Sequence, residues 1–135
     1  MIVNFLDALN VKKSDYAAVG YCNRDVVFAV KDAAKGVTSV NCGYVPKIKH
    51  LRSTRHLDVD SYDKVLFRYQ GDFKEVEDVV KSCDHMGLAL VSDLPVDLKT
   101  IFISYLESKG IYEWWEIDSS AKKLNVLFKV RKYDK

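Results

Sequence analysis

Long hydrophobic runs are missing from this chain. The cleanest are Val26-Val27-Phe28-Ala29-Val30 and Leu88-Ala89-Leu90-Val91, far short of the ~20 apolar residues of a spanning helix. The start, Met1-Ile2-Val3-Asn4-Phe5-Leu6-Asp7, lacks a basic flank and carries an acid in its apolar stretch, so it does not read as an export signal. There is no Asn-x-Ser/Thr acceptor. Two prolines and six glycines, none of them clustered, leave no linker and no repeat. The three cysteines, Cys22, Cys42 and Cys83, are odd in number, widely spaced and without a Cys-x-x-Cys pair. They exclude a disulfide framework and read as free, buried thiols in a reducing compartment. A cytoplasmic protein that avoids membranes is expected.

The 135 residues, 48% hydrophobic and 30% charged, are enough to close one core. A single domain over 1–135 is expected. The net charge is only +2 but is unevenly spread: residues 1–71 carry +4, 72–118 carry −7 and 119–135 carry +5.

Ile2, Phe5, Leu6 and Leu9 recur at helical spacing and predict a helix over 2–11. The β-rich runs Tyr16–Cys22 and Asp25–Lys31, separated only by Asn23-Arg24, predict a tight hairpin. A third strand is expected over 37–45, then a long loop over 46–63. Lys64–Tyr69 reads as a strand, followed by a helix capped by Asp72 and Glu75 that runs to about Met86, with Gly87 as its left-handed cap. Leu88–Ser92 reads as a central strand. A helix follows Pro95 and ends at Gly110, and strands at 111–117 and 123–131 make a terminal antiparallel hairpin. The fold class expected is therefore α+β: a mixed β-sheet with helices largely on one face, in the order α-β-β-β-loop-β-α-β-α-β-β. This order departs from the β-α-β-β-α-β of RNA-recognition domains.

Catalytic signatures are scarce. There is no glycine-rich phosphate loop, no Gly-x-Ser-x-Gly and no His-Glu-x-x-His. After the strand at 64–69, Gln70-Gly71-Asp72-Phe73 supplies one glycine, too few for a dinucleotide-binding turn. Cys83 and His85, two apart on the expected helix, would diverge. His56, Asp58 and Asp60 share a face if extended, and with His50 they outline a small phosphodiesterase or nuclease site. No cofactor and no metal are assigned.

Charge gives the sharpest expectation. Lys47, Lys49, Arg52 and Arg55 make a basic loop, and the C-terminal strand adds Lys129 and Arg131. In Trp114-Trp115 one ring must face outward, where it can stack on an unpaired base. Lys64 and Arg68 fall on the outward phase of their strand. The reading is a small non-enzymatic binding module with a basic face for single-stranded nucleic acid or RNA. Its alternatives are a regulatory or inhibitory protein that docks on a protein partner and the small nuclease above.

Overall fold

The computed structural model describes residues 2–131. The elements run α1 (Ile2–Leu9), β1 (Tyr16–Gly20), α2 (Arg24–Ala33), β2 (Gly36–Val40), β3 (Lys49–Leu51), β4 (Tyr62–Arg68), α3 (Phe73–Ser82), β5 (Cys83–Pro95), α4 (Lys99–Ser108), β6 (Trp114–Glu116) and β7 (Lys123–Val130). One seven-stranded sheet is formed in the order β3-β2-β1-β4-β5-β7-β6. The pairs among β1 to β5 are parallel. Only β7 runs against its neighbours β5 and β6.

Alternating strand residues feed two separate cores, one on each face. Val65, Phe67, Ala89, Val91, Val126 and Phe128 join Val76, Val79 and Val80 of α3 and Phe102 and Leu106 of α4. Ala17, Val19, Leu66 and Leu90, from the alternate positions, join Phe5 and Leu9 of α1 and Val26, Val27 and Val30 of α2. Helices therefore cover both faces of a mostly parallel sheet. This overturns the expected α+β class with helices on one face: the fold is a doubly wound α/β layer structure.

The decisive difference lies at residues 24–33. Their run of β-branched and aromatic residues reads as a strand, yet they form α2. Asn23, expected in a hairpin turn, is the helix N-cap, its side chain accepting the Val26 amide at 3.1 Å. Val26, Val27 and Val30 bury one helical face. Tertiary burial overrides β-propensity here, and the hairpin of one sheet edge becomes a parallel crossover in the middle of the sheet.

Smaller corrections follow from the same sheet. The strand expected over 37–45 stops at Val40, and β3 arises inside the expected loop. Helix α3 ends at Ser82, four residues before Met86, because Cys83 already pairs with Tyr62. Cys83 and His85 thus lie on a strand. The left-handed residue there is Met86 (φ 70°), not Gly87. A Cβ on Gly87 would stand 2.8 Å from Cys83 Sγ and 2.9 Å from the Asp63 carbonyl, so glycine serves close packing rather than a cap.

Lys64 and Arg68 do not stand on an open basic face. The Lys64 ammonium, under α1, sits 2.7 Å from Asp15 Oδ2 with both side chains nearly buried (12% and 13% exposed), and it also donates to the Asn10 carbonyl at 3.0 Å. Arg68 Nε pairs with Asp93 Oδ2 at 2.9 Å. Among the described residues, no helix is long and apolar enough to cross a membrane.

Candidate functional site at the carboxyl edge of the sheet

The strand order reverses between β1 and β4. From β1 the chain leaves through α2 toward β2 on one side; from β4 it leaves through α3 toward β5 on the other. Such a switch point opens a crevice outside the carboxyl ends of the strands, where open α/β sheets receive ligands. Here the crevice is bounded by Gly20-Tyr21-Cys22-Asn23 after β1, Asn41-Cys42-Gly43 after β2, Arg52 after β3, Tyr69 after β4 and Asp93 in β5.

Tyr21 dominates it. Its amide bonds the Val40 carbonyl at 2.9 Å, and its backbone is left-handed, with φ 58°. For a non-glycine residue that conformation costs roughly 1 kcal/mol. The ring lies edge-on to Phe67 of β4, with centroids 5.6 Å apart. The hydroxyl donates to Glu75 Oε2 of α3 and accepts from Asn41 Nδ2 at 3.3 Å. Asn41 Nδ2 also donates to the Arg52 carbonyl at 2.7 Å. Tyr21 and Asn41 together thus tie the exits of β1, β2 and β3 to Phe67 of β4 and Glu75 of α3. Burial, and then the Glu75 carboxylate, hold the Tyr21 phenol above its ordinary range. Burial, Asp72 and Glu75 do the same to Tyr69.

Cys22 and Cys42 sit together behind Tyr21. The Cys22 amide faces Cys42 Sγ at 3.4 Å, and both thiols point at strand carbonyls. Burial, then the neighbouring Cys42, pushes the Cys22 thiol up to about 12, so at neutral pH neither the thiolate nor its nucleophilicity is available.

Arginines rim the same edge. Exposed Arg24 opens α2 beside a shallow cleft with Asn23, Asp25 and Gly43. Its stem lies so close to Gly43 that a Cβ there would stand 2.2 Å from Arg24 Cγ. Arg52 follows β3 directly and Arg68 closes β4.

The residues singled out by charge and aromaticity are split by this architecture. Arg52 and Arg55 follow the carboxyl end of β3, whereas Lys47 and Lys49 lie before it or at its start. Lys49 is within 3.9 Å of Asp58. Trp114 and Trp115 belong to β6, at the opposite edge of the sheet, roughly 29 Å from β3 at about 4.8 Å per strand, and Lys129 and Arg131 lie at the end of β7 and just past it, one strand nearer. Trp114 packs on the core beneath the Lys99 ammonium, 5.9 Å from its ring centre, and only Trp115 is well exposed, at 48%. Arg131 is paired with Glu113 at 3.0 Å. The two basic segments do not meet.

His50 is structural. With Nε2 donating to the Val45 carbonyl at 2.8 Å, Nδ1 accepts from Ser39 Oγ at 2.7 Å, and Tyr44 stacks on the ring. Among the described residues, no group of three His, Cys, Asp or Glu side chains converges to hold a metal ion.

No family model matches the chain, and no curated protein does. Solved structures do. The YcgJ protein from Bacillus subtilis superposes with a TM-score of 0.75 at 9% identity over 98% of each chain. The tRNA (m1A58) methyltransferase TrmI from Aquifex aeolicus gives 0.74 at 10% identity, covering 99% of this chain and 68% of that one. A SAM-dependent O-methyltransferase from Thermotoga maritima gives 0.74 at 10% identity, covering 99% and 66%. The fold is that of the Rossmann-like SAM-dependent methyltransferases.

The methyltransferase fold corrects the functional expectation as well as the fold class. A small non-enzymatic nucleic-acid module was expected; the scaffold is instead one shared with enzymes. Of its alternatives, the histidine nuclease loses His50, which spends both ring nitrogens on the backbone and Ser39.

The methyltransferase fold implies a SAM cofactor at the crevice, and the residues there do not fit one. A dinucleotide-type turn needs glycines so that backbone can approach the ligand. Gly20 is the one glycine at the exit of β1, and the space of its absent side chain is taken by Phe67, whose Cδ1 would stand 2.7 Å from a Cβ. The next position, left-handed as a glycine would be, holds Tyr21. The polar groups around it, Glu75 and Asn41, are engaged with Tyr21 and with the Arg52 carbonyl. Sequence reasoning missed Tyr21, Asn41 and Glu75. The available signal was a strand ending in glycine followed three residues later by an N-cap asparagine, a strand-to-helix turn that the valine run disguised.

Proposed function

We propose that this chain is a nucleic-acid-modifying domain built on the methyltransferase-type fold, and that its polynucleotide substrate is received at the carboxyl edge of the sheet. The observation that carries this reading is the common placement of Arg24 and Arg52 in or beside the turns that leave β1 and β3, around the switch-point crevice; Arg68, at the end of β4, is engaged by Asp93. Guanidinium groups are the side chains best suited to phosphate oxygens. One neighbour in fold, the Aquifex enzyme, is by its name a tRNA methyltransferase, which supports a polynucleotide as the substrate class. The free thiols of Cys22 and Cys42 suit a reducing, cytoplasmic setting.

The reading divides the basic residues. Arg52 and Arg55, on the working edge, contact substrate phosphate; Lys129 and Arg131, at the far edge, do not. Fluorescence anisotropy with a short labelled RNA, over a range of salt, tests this. Arg52→Ala is expected to weaken binding and lower the salt slope by about 1, while Lys129→Ala leaves both unchanged. Equal losses at the two edges, or RNA affinity that ignores salt, would sink it.

A further inference from the structure

We propose that Tyr44 is a stacking platform for an unpaired base, so that the polynucleotide received at the carboxyl edge is gripped there as a single strand. This rests on the carboxyl edge being the substrate's site, and it names the part of the substrate that is held.

The platform follows from how the turn after β2 is built. Tyr44 is 69% exposed, yet its ring is not free to swing. One face stacks on the His50 ring, with centroids 5.2 Å apart and planes 24° from parallel. His50 is itself held at both nitrogens, by Ser39 of β2 and by the Val45 carbonyl. The backbone on either side of Tyr44 is held as well. Gly43 lies against the stem of Arg24, Val45 is fully buried, and the Pro46 carbonyl accepts from Lys31 Nζ at 2.9 Å. With one face on His50, the exposed area belongs to the other face and the rim of the ring. A ring that is already ordered loses little freedom when a base docks on it, and any base serves, because every base has a π-face.

Charge around the ring suits a phosphate backbone. Arg24 stands beside Gly43, and Lys47 is exposed three residues past Tyr44. Arg52, also exposed, comes two residues after His50, about 7 Å further along an extended chain. The turn from Asn41 to Ile48 carries no acid. The acids nearby are Asp25, next to Arg24, and Asp58, 3.9 Å from Lys49. At the far edge, where Trp115 is the exposed ring, Lys99 and Arg131 are instead paired with Glu116 and Glu113. A duplex keeps its bases stacked on one another and offers no free face along its length, so a platform of this kind selects unpaired strands.

The test uses the full chain and a short single-stranded RNA that carries 2-aminopurine, whose emission falls when the base stacks on an aromatic ring. A blunt duplex of the same sequence is the comparison, and anisotropy gives the affinities. Wild type, Tyr44→Phe, Tyr44→Leu and Arg52→Ala are titrated, with the thermal midpoint establishing that each is folded. Tyr44→Leu keeps the apolar bulk and removes the π-face. It is expected to bind the single strand about tenfold more weakly, to lose the quench and to keep the wild-type salt slope. Tyr44→Phe, which keeps the ring, should stay within about twofold of wild type and retain the quench. A quench that survives Tyr44→Leu would overturn the platform, and so would a wild type that binds duplex as tightly as single strand. The two readings fail separately. If Arg52→Ala weakens binding and Tyr44→Leu does not, the arginine edge stands and the platform falls. If Tyr44→Leu loses affinity and quench while Arg52→Ala binds like wild type, the platform stands and the role of the arginine falls. A wild type that binds neither form overturns both.

Discussion

The two edges of this sheet hold aromatic and charged residues in different ways. At the carboxyl crevice the contacts join segments far apart in the chain: Tyr21 meets Glu75 and Asn41, and Phe67 closes against Gly20. At the β6–β7 edge the charges cancel in isolated pairs: Lys99 pairs with Glu116 at 2.7 Å and Arg131 with Glu113 at 3.0 Å. A cluster of lysines, arginines and tryptophans in a sequence is therefore no measure of a working surface. What distinguishes the crevice is that its groups converge from separate elements at the point where the topology leaves a gap.

The largest expected effect that sharpens this contrast is at Phe67, the fully buried floor beneath Tyr21. Phe67→Ala is expected to lose about 3–5 kcal/mol of stability in urea unfolding, through cavity formation. A loss below 1 kcal/mol would mean that the crevice floor is not part of the core. Next comes the opposite, amino-terminal end of β1. Asp15→Asn removes the carboxylate partner of nearly buried Lys64 and is expected to cost about 3 kcal/mol at neutral pH. Burial raises the Asp15 carboxyl, but its bonds from Lys64 and the Lys12 amide outweigh that and hold it below its ordinary 3.8. Its contribution is thus complete above that value and is lost as pH falls through the lower folded value. The wild-type advantage over Asp15→Asn should shrink in acid unfolding as the pH falls below 3.8. An advantage that grew in acid would contradict the pairing. Smallest is Trp115→Ala at the far edge. It is expected to change stability by no more than about 0.5 kcal/mol and RNA affinity not at all. A clear loss of RNA binding there would move the working surface to the β6–β7 edge.

The second half of the chain was the more legible. Asp72 marks the start of α3, its side chain accepting the Lys74 amide at 3.0 Å, and Gly110, left-handed at φ 79°, follows α4. These are local signals, and local chemistry decides them. Residues 24–33 misled because Val26, Val27 and Phe28 favour a strand locally, while the burial that makes them a helix comes from Ala17, Val19 and Leu66 on neighbouring strands. That single substitution of helix for strand changes an antiparallel hairpin into a parallel crossover, and with it the class of the fold. Of the residues that bound the crevice, charge singled out only Arg52, which follows β3. A tyrosine in a left-handed turn leaves no mark in composition or periodicity, and Glu75 was visible as a capping residue but not as the acceptor for a phenol 54 positions earlier.

The strand order also bears on how the chain is made. Strands β1, β2 and β3 are neighbours in space as well as in sequence, so they can assemble as soon as they leave the ribosome. The inner flank of β1, from Ala17 to Gly20, then waits for Lys64 to Phe67 of β4. Until those residues are synthesised it is an unpaired apolar edge, the kind of surface through which nascent chains associate. Pausing synthesis just before β4 should therefore leave the most aggregation-prone intermediate, with holdase chaperones most needed over that interval.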